Sequence, residues 1–105
     1  MYALRWVDVW ETMNWKTAYN KIIRAKGYKI RFVHLKTAYA DIDDKTNEIR
    51  IDLNNVVPPA RKFGHELLHY CFPGMPHTEV YRLESEIWNE STQKQKLKLY
   101  KKLFQ

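Results

Sequence analysis

The sequence predicts an α+β fold. It comprises an N-terminal helix, a small antiparallel sheet of about three strands, a helix carrying "HELLH" with an antiparallel second helix behind it, and a basic C-terminal helix. Three observations carry that prediction. A helical apolar period runs through residues 14–27, a two-residue alternation follows through residues 28–53, and the helical period returns after the double proline at 58–59. The 105 residues are expected to form one domain, 1–105, long enough to bury a single modest core.

From Asn14, a residue suited to an N-cap, "NWKTAYNKIIRAKG" sets Trp15, Ala18, Tyr19, Ile22 and Ile23 on one stripe and stops at Gly27. "YKIRFVHL" then alternates Tyr28, Ile30 and Phe32 against Lys29 and Arg31, the period of a half-buried strand in which His34 is structural. "TAYADI" reads as a second strand, "DDKTN" as a polar hairpin turn, and "EIRIDL" as a third strand with Ile49, Ile51 and Leu53 on one face. After "NNVV", Pro58 and Pro59 suit only the opening of a helix, where a missing N–H costs nothing, and that helix runs to about Phe72. "PGMP" ends it. A further helical pattern extends from His77 to about Asn89, and "STQKQKLKLYKKLFQ" closes the chain.

Composition removes several classes of function. A 45% hydrophobic, 14% aromatic chain with 29% charged residues is expected to fold, and no apolar run approaches the roughly 18 to 20 residues of a membrane span. The start, "MYALRWVDVW", lacks the basic, apolar and small-residue regions of a secretory signal, so a cytoplasmic location is the expectation. A single cysteine, Cys71, allows no internal disulfide and no CxxC knuckle; it reads as a small buried apolar residue. Histidine and carboxylate are then the ligand set left for a metal.

The net charge of +6 is unevenly placed. The last fifteen residues hold five lysines and no acid, against thirteen basic and twelve acidic groups before them. Such a run can attract nucleic-acid phosphate, and it suits equally the solvated face of a final helix with Leu97, Tyr100 and Phe104 packing inward.

HELLH lies inside the proline-started helix. Residues four apart stand one above the other there, so His65 and His69 project from one face and can bind one Zn²⁺. Glu66, one residue after the first histidine, is placed to take a proton from a zinc-activated water as general base. Gly64, unfavourable in mid-helix, suggests the close approach of a neighbouring backbone. A catalytic zinc wants a third protein ligand. On the following helix, Val80, Tyr81, Leu83, Ile87 and Trp88 define an apolar arc containing two polar misfits, His77 and Glu84, while Glu79 and Glu86 point away. Either misfit can serve.

The hairpin, HELLH helix, short turn and second helix, over about Glu48 to Trp88, resemble the minimal zincin metallopeptidases and the SprT-like group in particular. "HELLHYCFPGMPHTEVY" has His65, Glu66 and His69, then His77 and an aromatic Tyr81 four positions later, the spacing of that group. The resemblance implies a zinc metallopeptidase with His65, His69 and His77 as metal ligands, Glu66 as general base and a protein or peptide as substrate. A second similarity, to the ImmA-like peptidases of phage and mobile elements, rests on "RLESEIWN" and implies Glu84 as third ligand instead. The zincin resemblance also implies that "EIRIDL" is an edge strand lying along the substrate cleft, and Tyr70 or Tyr81 is a candidate donor to the oxyanion. Two other classes compete with the enzyme. One is a catalytically inactive zinc protein that binds a partner, the other a basic nucleic-acid-binding module in which HELLH is incidental. Metal content separates the second of these, and Glu66→Gln the first.

Overall fold

The computed structural model describes residues 10–35, 39–54 and 56–105, and its architecture is α+β. The chain start as far as Val9, Thr37 and Ala38 of the expected second strand, and Asn55 of the "NNVV" link lie outside the described residues.

Helix α1, Trp15–Ile23, begins where the Asn14 side chain accepts a hydrogen bond from the Lys16 amide at 2.7 Å, and it buries Ala18, Tyr19 and Ile22. Strands β1 (Lys29–Phe32), β2 (Ala40–Asp43) and β3 (Glu48–Ile51) form one sheet in the order β1-β3-β2. The sheet is mixed, which corrects the antiparallel expectation: β2 runs antiparallel to β3, but β1 runs parallel to it, with Lys29 opposite Glu48 and Phe32 opposite Ile51. A two-residue period reports which side chains are buried, not which way a strand runs; direction follows from the connections. Here the short turn before Glu48, with Asn47 at φ 55°, folds β3 back on β2. β1 takes the other side of β3, whose Ile49 and Ile51 are fully buried. Leu53 falls beyond β3 and is exposed, as are Phe32 and His34 on the β1 side.

Helix α2, Pro59–Cys71, follows the prolines, and a turn with Gly74 at φ +88° leads into α3, His77–Glu90. The Tyr70 hydroxyl of α2 donates to the Lys26 carbonyl at 2.6 Å, next to Gly27. Gly27 has φ +89°, and a Cβ there would meet that hydroxyl at 3.0 Å, so both conformation and space call for glycine. Gly64 is different: a Cβ there would meet only Ile22 Cδ1, at 3.9 Å, so no backbone approaches it. Helix α4, Gln93–Leu103, starts at a capping box between Thr92 and Gln95. Its buried residues are Leu99 and Leu103, with Tyr100 half-buried, whereas Leu97 and Phe104 are exposed. The reason is phase: Leu99 lines a small cavity with Ala60 and Gly64 of α2 and Ile87 of α3, and Leu103 lies one turn further along the same face of α4.

The core is closed by Phe63, which is fully buried and meets Tyr28 edge to face at 5.8 Å between centroids. Phe63→Ala is expected to cost about 3–5 kcal/mol, a large part of the stability of a domain this size, measured as a fall in the denaturant midpoint. Cys71 is half-buried rather than buried, at the end of α2. No helix among the described residues is long and apolar enough to cross a membrane.

Candidate functional site

One face of α2 and one flank of α3 meet at the site. At about 100° per residue, His65, His69, Lys62 and Glu66 share a face of α2 opposite the buried Ala60, Phe63, Leu67 and Leu68. On α3 the buried stripe is Val80, Leu83 and Ile87. His77, Tyr81, Glu84 and Trp88, spaced i, i+4, i+7 and i+11, form a second stripe beside it. The apolar arc expected from the sequence thus divides in two. His77, at the first residue of the helix, is exposed rather than inward-facing, and Tyr81 is 57% exposed rather than core.

The two HELLH imidazoles converge. His65 Nε2 and His69 Nε2 are 3.2 Å apart, close to the chord of about 3.3 Å that two tetrahedral Zn–N bonds subtend. The other nitrogen of His65 is engaged: its Nδ1–H donates to Glu84 Oε1 at 2.5 Å. Burial works to raise the Glu84 carboxyl, but the hydrogen bonds from His65 and Arg61 outweigh it and hold the group below the ordinary carboxylate range. Glu84 is therefore an anion that fixes His65 with the proton on Nδ1. Nε2 is left with a lone pair directed toward His69 Nε2. Burial, and then the neighbouring His65 and His77, lower the pKa of His69 and favour the neutral ring that a metal needs.

His77 supplies the third ring, its centroid 4.9 Å from that of His69. Among the described residues no three His, Cys, Asp or Glu side chains converge closely enough to hold a metal ion as they stand. Two imidazoles converge, and a third lies beside them. The donor set fits a three-histidine zinc site once the His77 ring, at an exposed helix start, swings toward the pair. Glu84, the other candidate for third ligand, is engaged on the far nitrogen of His65 and by Arg61 Nε at 3.0 Å.

Glu66 is 6% exposed. Burial pushes its carboxyl up to about 7; the His65 imidazole pulls the other way, while Asp41 and Glu84 add to the rise. With His65, Tyr81 and Glu84 it lines a cleft of about 1120 Å³ that Tyr39 and Ala40 also line. This corrects the edge-strand expectation. β3, which precedes the HELLH helix, is the central strand; β2 is an edge, and its Ala40 end borders the cleft. Of the two candidate oxyanion donors, Tyr81 faces the site, its ring 5.0 Å from that of His65, whereas the Tyr70 hydroxyl is committed to the Lys26 carbonyl.

Three supporting residues are not apparent from sequence. Arg61, which also reaches Ser85 Oγ at 3.4 Å, has one signal, its position four before His65 on the same helix face. Asp52 and Lys62 are buried in the wall of the cleft. The Lys62 ammonium donates to the Asp52 carbonyl, and the Asp52 carboxylate accepts from the Leu35 and Asn54 amides at 3.0 and 2.8 Å. Those amide bonds lower the Asp52 pKa, and burial lowers that of Lys62. Their sequence signals, a charged residue at a strand end and another in a helix, do not separate buried from solvated positions. No protein-family model matches the chain, and neither a curated protein nor a solved structure matches it significantly.

Proposed function

We propose that the protein is a zinc-dependent metallopeptidase. The observation that supports this best is the 3.2 Å approach of His65 Nε2 to His69 Nε2 with His65 Nδ1 already held by Glu84. That is how a histidine is presented to a metal: one nitrogen fixed by a carboxylate, the other free to coordinate. Zinc bound by His65, His69 and His77 supplies Lewis acidity, lowering the pKa of water and polarising a carbonyl.

The chain's own residues do the rest. Glu66, desolvated and titrating near neutrality, takes a proton from the attacking water as its oxygen bonds to the scissile carbonyl carbon. The same carboxyl then delivers that proton to the amide nitrogen as the C–N bond breaks. Tyr81, exposed and beside His65, is the hydroxyl donor for the developing oxyanion. An extended peptide can add to the outer edge of β2, which no strand among the described residues covers and which borders the cleft at Ala40, and its carbonyl is thereby carried toward His65 and Glu66.

The test is cleavage of fluorescently labelled casein by zinc-loaded protein: a chelator is expected to abolish it, and added zinc to restore it. Cleavage that survives chelation contradicts the reading. The ligand set has its own test. In a competition titration against a chelator, His77→Ala is expected to weaken zinc binding strongly, whereas Glu84→Gln, acting through His65, weakens it about 10- to 100-fold. The reverse ranking assigns the third bond to Glu84.

A further inference from the structure

Eleven of the eighteen Lys and Arg residues lie in two segments that contain no Asp or Glu at all, six in residues 12–35 and five in residues 91–105. The fold joins those segments into one surface. The Tyr19 hydroxyl of α1 donates to the Gln95 carbonyl of α4 at 2.9 Å, and Lys102 Nζ donates to the Ala25 carbonyl at 2.7 Å and lies over the Tyr28 ring. Among the described residues, the one ion pair these cations form is Arg31 with Glu48, at 3.8 Å. Lys21, Arg24 and Lys26 line a depression of about 730 Å³ together with the polar Thr17 and Asn20 and no carboxylate. Seven of the twelve acids are grouped elsewhere, on β2 with its turn and on α3.

An aromatic pair stands at the rim of this surface. Phe32, at the end of β1, stacks on Phe104, just past α4, with centroids 5.6 Å apart and planes at 25°. Both rings are about half exposed, at 43% and 57%. Lys101 lies one helical turn before Phe104, while Lys29 and Arg31 take the opposite face of β1 from Phe32. Cations alone fit any polyanion. Cations beside a partly exposed aromatic stack, which Tyr100 extends behind Phe104 with centroids 6.5 Å apart and planes at 9°, fit a chain that offers both phosphates and unpaired bases, because stacking requires a base free of its duplex.

We propose that the joined surface of α1, β1 and α4 binds single-stranded nucleic acid, with lysines and arginines along the phosphates and the Phe32–Phe104 pair as a stacking platform for a base. The proposal stands apart from the metal site and does not depend on the peptidase reading.

The test is fluorescence anisotropy of the full chain with a labelled oligothymidylate of about twenty nucleotides and with a duplex of equal length, between about 50 and 200 mM salt. The oligothymidylate is expected to bind more tightly than the duplex. Joint substitution of Lys21, Lys98 and Lys101 by Gln should reduce the slope of log K against log salt by about 2, at about 0.7 for each phosphate no longer neutralised. Phe104→Ala, at an exposed position past the last helix, should weaken the oligothymidylate about tenfold with the slope unchanged. The variant His65→Ala/His69→Ala should bind as the parent does, which separates this surface from the metal site. Absence of salt-dependent binding, preference for the duplex, or indifference to Phe104→Ala overturns the proposal.

Discussion

Glu66→Gln is expected to keep the metal and lose about 10²- to 10⁴-fold in casein turnover, the range of a general-base contribution. The substitution preserves the shape of a side chain that is 6% exposed and packed between the HELLH helix and the cleft. It removes only the group that carries the proton. Burial has already pushed that carboxyl up to about 7, where a base is strong enough to accept a proton and still ionised enough to be available. Its amide replacement can do neither. The proposed metal ligands are left alone, since Glu66 makes no hydrogen bond to His65 or His69, and His65 remains held by Glu84. Zinc content equal to the parent's, with turnover nearly lost, is therefore the expected pair of results. Full turnover in the variant would assign the base elsewhere, and zinc retained by a parent that cleaves nothing would favour an inactive zinc-binding protein.

Much of this arrangement is legible in the sequence because the relevant signals are local. Asn14 caps α1, the double proline opens α2, and His65 and His69 share a face because four residues make about one turn. Glu84 is legible as a polar residue out of place on an apolar arc, though its role is not. Periodicity can say that such a residue needs a partner; it cannot say whether the partner is a metal or an imidazole nitrogen. The structure has the latter arrangement, with Arg61 closing the chain of contacts. What is not legible depends on tertiary placement. The parallel pairing of β1 with β3 follows from which side of a buried central strand is open, and nothing in "YKIRFVHL" encodes that. The exposure of His77 and Tyr81 follows from where α3 meets α2: the covered stripe is Val80, Leu83 and Ile87, and both residues lie beside it. The basic surface is a further case. The tail's charge is plain in sequence, but its union with α1 and β1 comes from Tyr19, Lys102 and the Phe32–Phe104 stack.

In the proposed site His65 and His69 together hold the metal. Their Nε2 atoms stand 3.2 Å apart, and no other pair of described imidazoles comes within hydrogen-bonding distance. Replacing both rings by Ala removes the convergent donors while leaving Glu84 paired with Arg61 at 3.0 Å, so the fold is expected to survive. Metal analysis of the purified chain, after zinc loading and desalting, is the most direct test, with circular dichroism to confirm folding. The expected result is about one zinc per chain in the parent and none in folded His65→Ala/His69→Ala. Equal zinc in the two proteins, or none in the parent, would contradict the account.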